Sequence, residues 1–369
     1  MTRSANETDV IRKFSLRSLE GRVMVVSLLA IGAIFLCAAA WFAVTQPIFS
    51  KPIVEGPAPA PTRLETHVRI LSQTFFPRNC AHPDNLDRVA AYIHHEFELA
   101  GAAVSEQPYT IPPDFPAGFD PGKEADLRAM AEKCIHTFRN VIASFGPDTR
   151  ERIVVGAHYD AYQELPGADD NASGVAGLIE LAHLLGKTSL PMRVELVAYT
   201  LEEPPFFRSR PGAAYAGSAV HARSLKKQGI PLRAMIALEM IGYFKDEDGS
   251  QRYPFSALKL FYPSQGNFAV VVGSLDQPRI VRRVKRAMRG ASVLPVHSLN
   301  GPKSIEGIDW SDHMHYWEQG YNAVMVSDTA IYRNHNYHKL GDTADTLDYS
   351  RMALVVQGVY GAVLAFARQ

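Results

Sequence analysis

The 369-residue chain predicts an α/β fold: a single domain with a central mixed, mainly parallel sheet flanked by helices, preceded by one transmembrane helix. Strand-like apolar runs alternate with amphipathic helical segments over most of the chain. Polar residues such as His158 and the Glu202–Glu203 pair stand just past such runs, where parallel sheets present ligands. Val23 to Val44 is 22 residues without a charge, about the ~20 needed to cross a bilayer.

The N-terminal segment, 1–22, carries Arg3, Arg12, Lys13, Arg17 and Arg22, whereas the next charge after the apolar span of 23–44 is Lys51. That asymmetry predicts a single-pass anchor with a cytoplasmic N-terminus and the rest of the chain extracytoplasmic, periplasmic in a bacterium. The rival is a cleaved signal peptide with Ala38-Ala39-Ala40 as its small-residue site, although signal cores usually run only about 7–15 residues. Residues 45–63 contain Pro47, Pro52, Pro57, Pro59 and Pro61 and read as a semi-stiff extended linker before a single domain over 64–369. Hydrophobic residues make up 47% of the chain, enough for a large core, and the net charge is zero, which removes the electrostatic case for nucleic acid. Cys37 lies in the apolar span. Cys80 and Cys134 lie beyond it, where either a disulfide or two buried thiols fits.

Residues 85–100 form the first predicted helix, with Leu86, Val89, Ile93, Phe97 and Leu99 apolar and Gly101 as its stop. Residues 111–124, rich in Pro, Asp and Gly, read as a surface insertion. Strands follow over 139–145 and 152–157, a helix over 171–185, a strand over 192–200, a helix over 212–228 and a strand over 234–240. The remainder reads as a strand over 258–262, helices near 265–289 and 310–319, a strand over 323–326 and a helix over 349–367.

His158 ends one such run, and Asp160, two residues on, faces the same way on an extended chain and can orient the imidazole. Asp169 and Asp170 precede Asn171-Ala172-Ser173-Gly174, where such residues ordinarily cap a helix, and one of the two can cap while the other faces a metal site. Glu202 and Glu203 are adjacent like charges at a strand end, an arrangement that calls for a cation or a proton nearby. Glu239 sits inside the apolar run Ala237-Leu238-Glu239-Met240-Ile241, where an unpaired carboxylate costs several kcal/mol by order of magnitude. His338 is a further imidazole, with His335, His313 and His315 as competitors that spacing alone does not eliminate. G-x-S-x-G, H-E-x-x-H and phosphate-loop patterns are absent from the sequence.

Taken together, Gly156-Ala157-His158-Tyr159-Asp160, Pro166 to Gly174, Leu201-Glu202-Glu203-Pro204, Leu238 to Gly242 and Tyr337-His338 with Asp342-Thr343 resemble family twenty-eight of the metallopeptidases, the dizinc aminopeptidase group. The resemblance runs from about residue 65 to the end. It implies a zinc exopeptidase acting on peptides, with two zinc ions. His158 and Glu239 would hold one, Glu203 and His338 the other, and Asp169 would bridge them as the first Asp of the pair. Glu202 would be the general base for a metal-activated water, Tyr337 would stabilise the oxyanion, and Asp160 would orient His158. Glu239 departs from the best-known aminopeptidases of the group, which carry Asp there. The resemblance also admits glutaminyl cyclisation with one zinc, a carboxypeptidase, or an inactive binding ectodomain. Phe206 and Phe207 are candidates for an apolar specificity pocket or for the core.

Overall fold

Runs such as Arg152–His158 and Arg193–Tyr199 are apolar on both faces because they lie at the centre of one eight-stranded sheet. The computed structural model describes residues 4–48, 56–113, 133–208 and 211–368. Its strands are β1 (Ala103–Thr110), β2 (Thr137–Phe145), β3 (Arg152–His158), β4 (Arg193–Tyr199), β5 (Leu232–Glu239), β6 (Ala269–Ser274), β7 (Val296–Gly301) and β8 (Ala323–Ser327). Their order across the sheet is β1-β2-β4-β3-β5-β8-β6-β7. β4, β3, β5 and β8 run parallel, as do β6 and β7, while the β1–β2, β2–β4 and β6–β8 pairs are antiparallel.

The helices are α1 (Ser4–Thr45), α2 (Pro61–Arg69), α3 (Pro83–Leu99), α4 (Gly174–Leu185), α5 (Gly217–Lys227), α6 (Pro278–Ala291), α7 (His313–Glu318) and α8 (Tyr349–Ala367). Successive strand side chains alternate between two cores. Ile153, Val155 and Ala157 join the core under α3, α4 and α8, and Val154 joins the one under α5 and α7. α8 is apolar enough to span a membrane, but 67% of it is buried and it serves as a core helix. Gly21–Thr45 within α1 is the other apolar span, and it stands outside the core.

Several expectations need correction. Residues 258–262 lie not in a strand but within and just past the 3-10 turn Ser256–Leu260, and the region near 265–289 holds both β6 and α6 rather than helix alone. The Ala269-Val270-Val271-Val272 run is β-branched and buried, and Pro278 sets the helix start behind it. β1 and β7 were not anticipated. They are the two edges of the sheet, so neither carries an apolar run, and Pro108 is tolerated in β1 because an edge strand needs no donor on its free side. The linker over 45–63 is less extended than expected. Residues 45–48 are buried against the domain, and Pro61 opens α2, which buries Leu64 and Val68. The middle of that linker and most of the 111–124 insertion lie outside the described residues. Cys80 and Cys134 form a disulfide, with Cα atoms 4.8 Å apart.

Candidate metal centre

Three adjacent parallel strands, β4, β3 and β5, end at one rim of the sheet. His158 closes β3, Glu239 closes β5, and Glu202 and Glu203 follow β4. The chain turns sharply after two of these strands. Leu201 (φ 63°) and Met240 (φ 46°) are non-glycine residues in the left-handed region, each costing on the order of 1 kcal/mol. Met240 is held there by its amide donating to Asn171 Oδ1 (3.1 Å) and its carbonyl accepting from the amide of Asp328 (2.7 Å).

A turn over Ala168–Ser173, between β3 and α4, brings in the aspartates. Gly167 enters it at φ 56°, where a Cβ would come within 2.3 Å of the Asp170 carbonyl oxygen. The Asp342 carboxylate accepts from the amides of Asp169 (2.9 Å) and Asp170 (3.1 Å). The buried Arg78 guanidinium donates to the carbonyls of Leu71, Tyr159, Pro166 and Gly167. His338, at φ 54°, arrives from the loop after β8. Its ring lies between those of Tyr162 (centroids 4.0 Å apart) and Tyr337 (3.9 Å).

These segments converge as two groups that could hold a metal ion: His158, Asp170 and Glu239, and Asp170, Glu203 and His338. His338 Nε2 lies 3.2 Å from Asp170 Oδ2 and 3.2 Å from Glu203 Oε2, aligned with neither for a hydrogen bond. His158 Nε2 lies 3.4 Å from Glu239 Oε2 and 3.6 Å from Asp170 Oδ1. Donors about 2.0 Å from a tetrahedral zinc stand roughly 3.3 Å from one another. The imidazole and carboxylate donor set and its spacing therefore fit zinc.

The expected bridging role of Asp169 does not survive the geometry. Its Oδ1 accepts from the amide of Gly242 (3.0 Å) and its Oδ2 from the Asn334 side chain (2.8 Å), so it is turned away and spent on the scaffold. Asp170 is the member common to both groups. Sequence gave no means of choosing between adjacent aspartates, because their order along an irregular turn does not fix which faces inward.

Asp160 does more than face His158. Its Oδ1 is 3.3 Å from His158 Nδ1, and its carboxylate accepts from the amides of Glu202 (3.1 Å) and Glu203 (3.1 Å). One buried carboxylate thus fixes both the imidazole and the glutamate turn. Glu239 Oε2 accepts from the Ser311 hydroxyl at 2.7 Å. Glu202 Oε2 is 3.9 Å from His158 Nε2 and belongs to neither metal group.

Burial dominates the electrostatics here. It raises the Glu202 carboxyl well above its usual range, with Glu203 and Glu239 adding and His158 opposing. It raises Glu203 to about 7 against the pull of His338. For His338 burial acts downward, but the Glu203 and Asp170 carboxylates together carry it up to about 11. Burial likewise opposes protonation of His158, and Glu239, Glu202 and Asp160 together raise it well above its usual value. So many carboxylates with so few cations is an arrangement that a bound metal relieves.

Glu202, Glu203, Asp170, Glu239 and Tyr337 also line one open cleft. Its far wall is apolar, with Leu258, Tyr262, Phe268 and Ile308. Phe207 lines it, edge-on to Trp310, while Phe206 is core. The competing histidines are elsewhere: His313 bonds the Ile308 carbonyl, His315 lies beside Glu318, and His335 is exposed against Tyr243. Tyr162, Arg78 and Ser311 were not identified from sequence, where nothing distinguishes them from ordinary surface or core residues.

A family model described as Peptidase family M28 matches residues 140–363. The chain is 45% identical over 308 residues to the uncharacterized protein YfbL of Escherichia coli (strain K12), covering 81% of this chain and 86% of that one. It is 24% identical over 227 residues to leucine aminopeptidase 1 of Coccidioides posadasii, covering 58% of this chain and 52% of that one, so it spans about half of that relative's length. Among solved structures, a glutaminyl cyclase of Bacteroides thetaiotaomicron superposes with a TM-score of 0.61 at 18% identity, over 84% of this chain and 99% of that one. A leucine aminopeptidase precursor from the same organism gives 0.61 at 18% identity, over 85% and 99%.

Proposed function

This chain belongs to peptidase family M28, and on that premise we propose that it is a zinc-dependent exopeptidase, an aminopeptidase that releases residues from the free N-terminus of peptides. The observation that carries the reading is the pair of donor groups sharing Asp170, with the Glu202 carboxyl free beside them in the same cleft. His158, Asp170 and Glu239 would hold one zinc, and Asp170, Glu203 and His338 a second. Zinc, when bound, supplies Lewis acidity that acidifies water toward pH 7 and polarises a carbonyl.

The protein's own groups supply the rest. Glu202, held by its amide on Asp160, takes a proton from the attacking water and returns it to the leaving amine. Burial and the neighbouring carboxylates raise the Tyr337 phenol well above its usual pKa, so it stays a hydrogen-bond donor facing the cleft, suited to a developing oxyanion. The apolar wall of Phe207, Leu258, Tyr262 and Phe268 suits a large apolar first residue. The charge asymmetry around α1 supports an uncleaved anchor, with this site on the extracytoplasmic side.

Glutaminyl cyclisation on the same scaffold is the second reading. What favours it is the looser His158 group, at 3.4 and 3.6 Å, with Glu239 already engaged by Ser311. The purified full chain assayed on aminoacyl-anilides, on N-blocked analogues and on peptides starting with Gln tests both. Hydrolysis of free-amine substrates only, abolished by a chelator and restored by zinc, is the expected result. Ammonia release from Gln peptides without anilide hydrolysis would replace the first reading with the second.

A further inference from the structure

The apolar span of α1 does not end in a free tether. Lys285 of α6 is buried, and its ammonium donates to the carbonyls of Thr45 (2.7 Å), the last residue of α1, and of Gln46 (3.3 Å) just past it. A cation on a helix C-terminus meets both the orphan carbonyls and the negative end of the macrodipole. Ser298 of the edge strand β7 donates to the same Thr45 carbonyl at 2.7 Å. The spanning helix is thereby clamped onto the sheet edge and onto α6.

α6 itself reads Pro-Arg-Ile-Val-Arg-Arg-Val-Lys-Arg-Ala-Met-Arg-Gly-Ala, with Arg279, Arg282, Arg283, Lys285, Arg286 and Arg289 and no acidic residue. Ile280, Val281, Val284 and Met288 face the core. Arg283 packs over Phe366 and bonds the Ala365 carbonyl. Arg279 and Arg286 are exposed and Arg282 and Arg289 half-exposed, and none of these four forms an ion pair among the described residues. In a chain of zero net charge, this is a segregated basic face rather than a generally basic protein.

Its position identifies what it meets. The Arg282 guanidinium lies 5.2 Å over the ring of Phe42, three residues before the end of α1 and so about 4.5 Å from that end along the helix axis. A guanidinium within one turn of the end of a bilayer-spanning segment lies at headgroup depth.

We propose that the α6 face formed by Arg279, Arg282, Arg286 and Arg289 binds the phosphate headgroups of anionic phospholipids in the leaflet from which α1 emerges, holding the domain and its cleft at a fixed attitude to the membrane. Guanidinium–phosphate pairs are charge-assisted and often bidentate, and each basic residue near an anionic surface contributes roughly a fivefold factor in affinity. This inference rests on α1 being retained as a membrane anchor, and it is independent of the hydrolytic reading.

The test is native mass spectrometry of the full chain, released from mixed micelles holding equal amounts of phosphatidylglycerol and phosphatidylcholine. The wild type is expected to carry phosphatidylglycerol in excess by about tenfold or more. R279Q/R282Q/R286Q/R289Q is expected to fall to near parity with an unchanged melting temperature, and R279K/R282K/R286K/R289K to keep most of the excess. No preference in the wild type, or full preference in the glutamine variant, would overturn the proposal. So would loss of the preference in millimolar inorganic phosphate, which would mark a free-anion site, and so would a preference for an acidic peptide or an oligonucleotide over the lipid in competition. An intact mass from native membranes lacking α1 removes the premise, while turnover measured on the same sample reports on the hydrolytic reading separately.

Discussion

The two donor groups at the rim share Asp170 but are built differently. The His158 group is made by the sheet itself: His158 and Glu239 are the last residues of neighbouring strands, both buried, and their separations are 3.4 and 3.6 Å. The His338 group is assembled from loops, its imidazole is partly exposed and sandwiched between two tyrosines, yet its separations are tighter, at 3.2 Å each. Strand ends fix position through the hydrogen-bonded ladder. Loops reach equal definition here only because Asp342, Arg78, Asn171 and the tyrosine stack hold them. Depth in the fold and readiness for a metal are therefore separate properties.

The largest effect sharpens that contrast by probing the carboxylate outside both groups. Glu202→Gln is expected to lower kcat by about 10²–10⁴-fold while zinc content by elemental analysis stays at the wild-type level. Loss of metal in that variant would mean Glu202 belongs to a ligand set. Ser311→Ala removes the hydroxyl that fixes Glu239, so it should weaken zinc at the His158 group by about tenfold and leave the His338 group unchanged. Chelator titrations that resolve two affinities measure this, and equal weakening of both would erase the distinction.

The smallest effect is on stability. In the metal-free protein, burial holds Asp342 up to about 8 and Asp312 up to about 7, from an ordinary 3.8. The folded state then keeps protons that the unfolded chain has released. Their contribution to stability falls as pH rises from about 4 to about 8, and is lost above the folded values. The melting temperature of chelated protein is expected to decline across that window, with zinc restoring more at its upper end. A flat profile would mean that both carboxyls titrate near their ordinary values in the folded chain despite their burial.

The central strands and the candidate site residues at their ends were legible in the sequence because double-sided burial writes continuous apolar runs, against which His158, Glu202, Glu203 and Glu239 stand out. The edge strands β1 and β7 were not, since one-sided pairing leaves no such pattern. The glutamate pair and His158 could be chosen by type and place, whereas His338 stood among His313, His315 and His335 and was singled out only by the family resemblance. The inward-facing aspartate could not, because Asp169 and Asp170 are separated only by how an irregular turn rotates them. The candidate membrane span was visible as a run of apolar residues, whereas the contact at its end was not: Lys285 is one cation among six in α6, and only the fold buries it under Thr45.

That one carboxylate, Asp170, joins the two donor groups is most directly tested by zinc stoichiometry in two neighbouring variants. Asp170→Asn is expected to lose both ions, and Asp169→Asn to retain them with a lowered melting temperature. Retention of zinc in Asp170→Asn alongside its loss in Asp169→Asn would contradict the account.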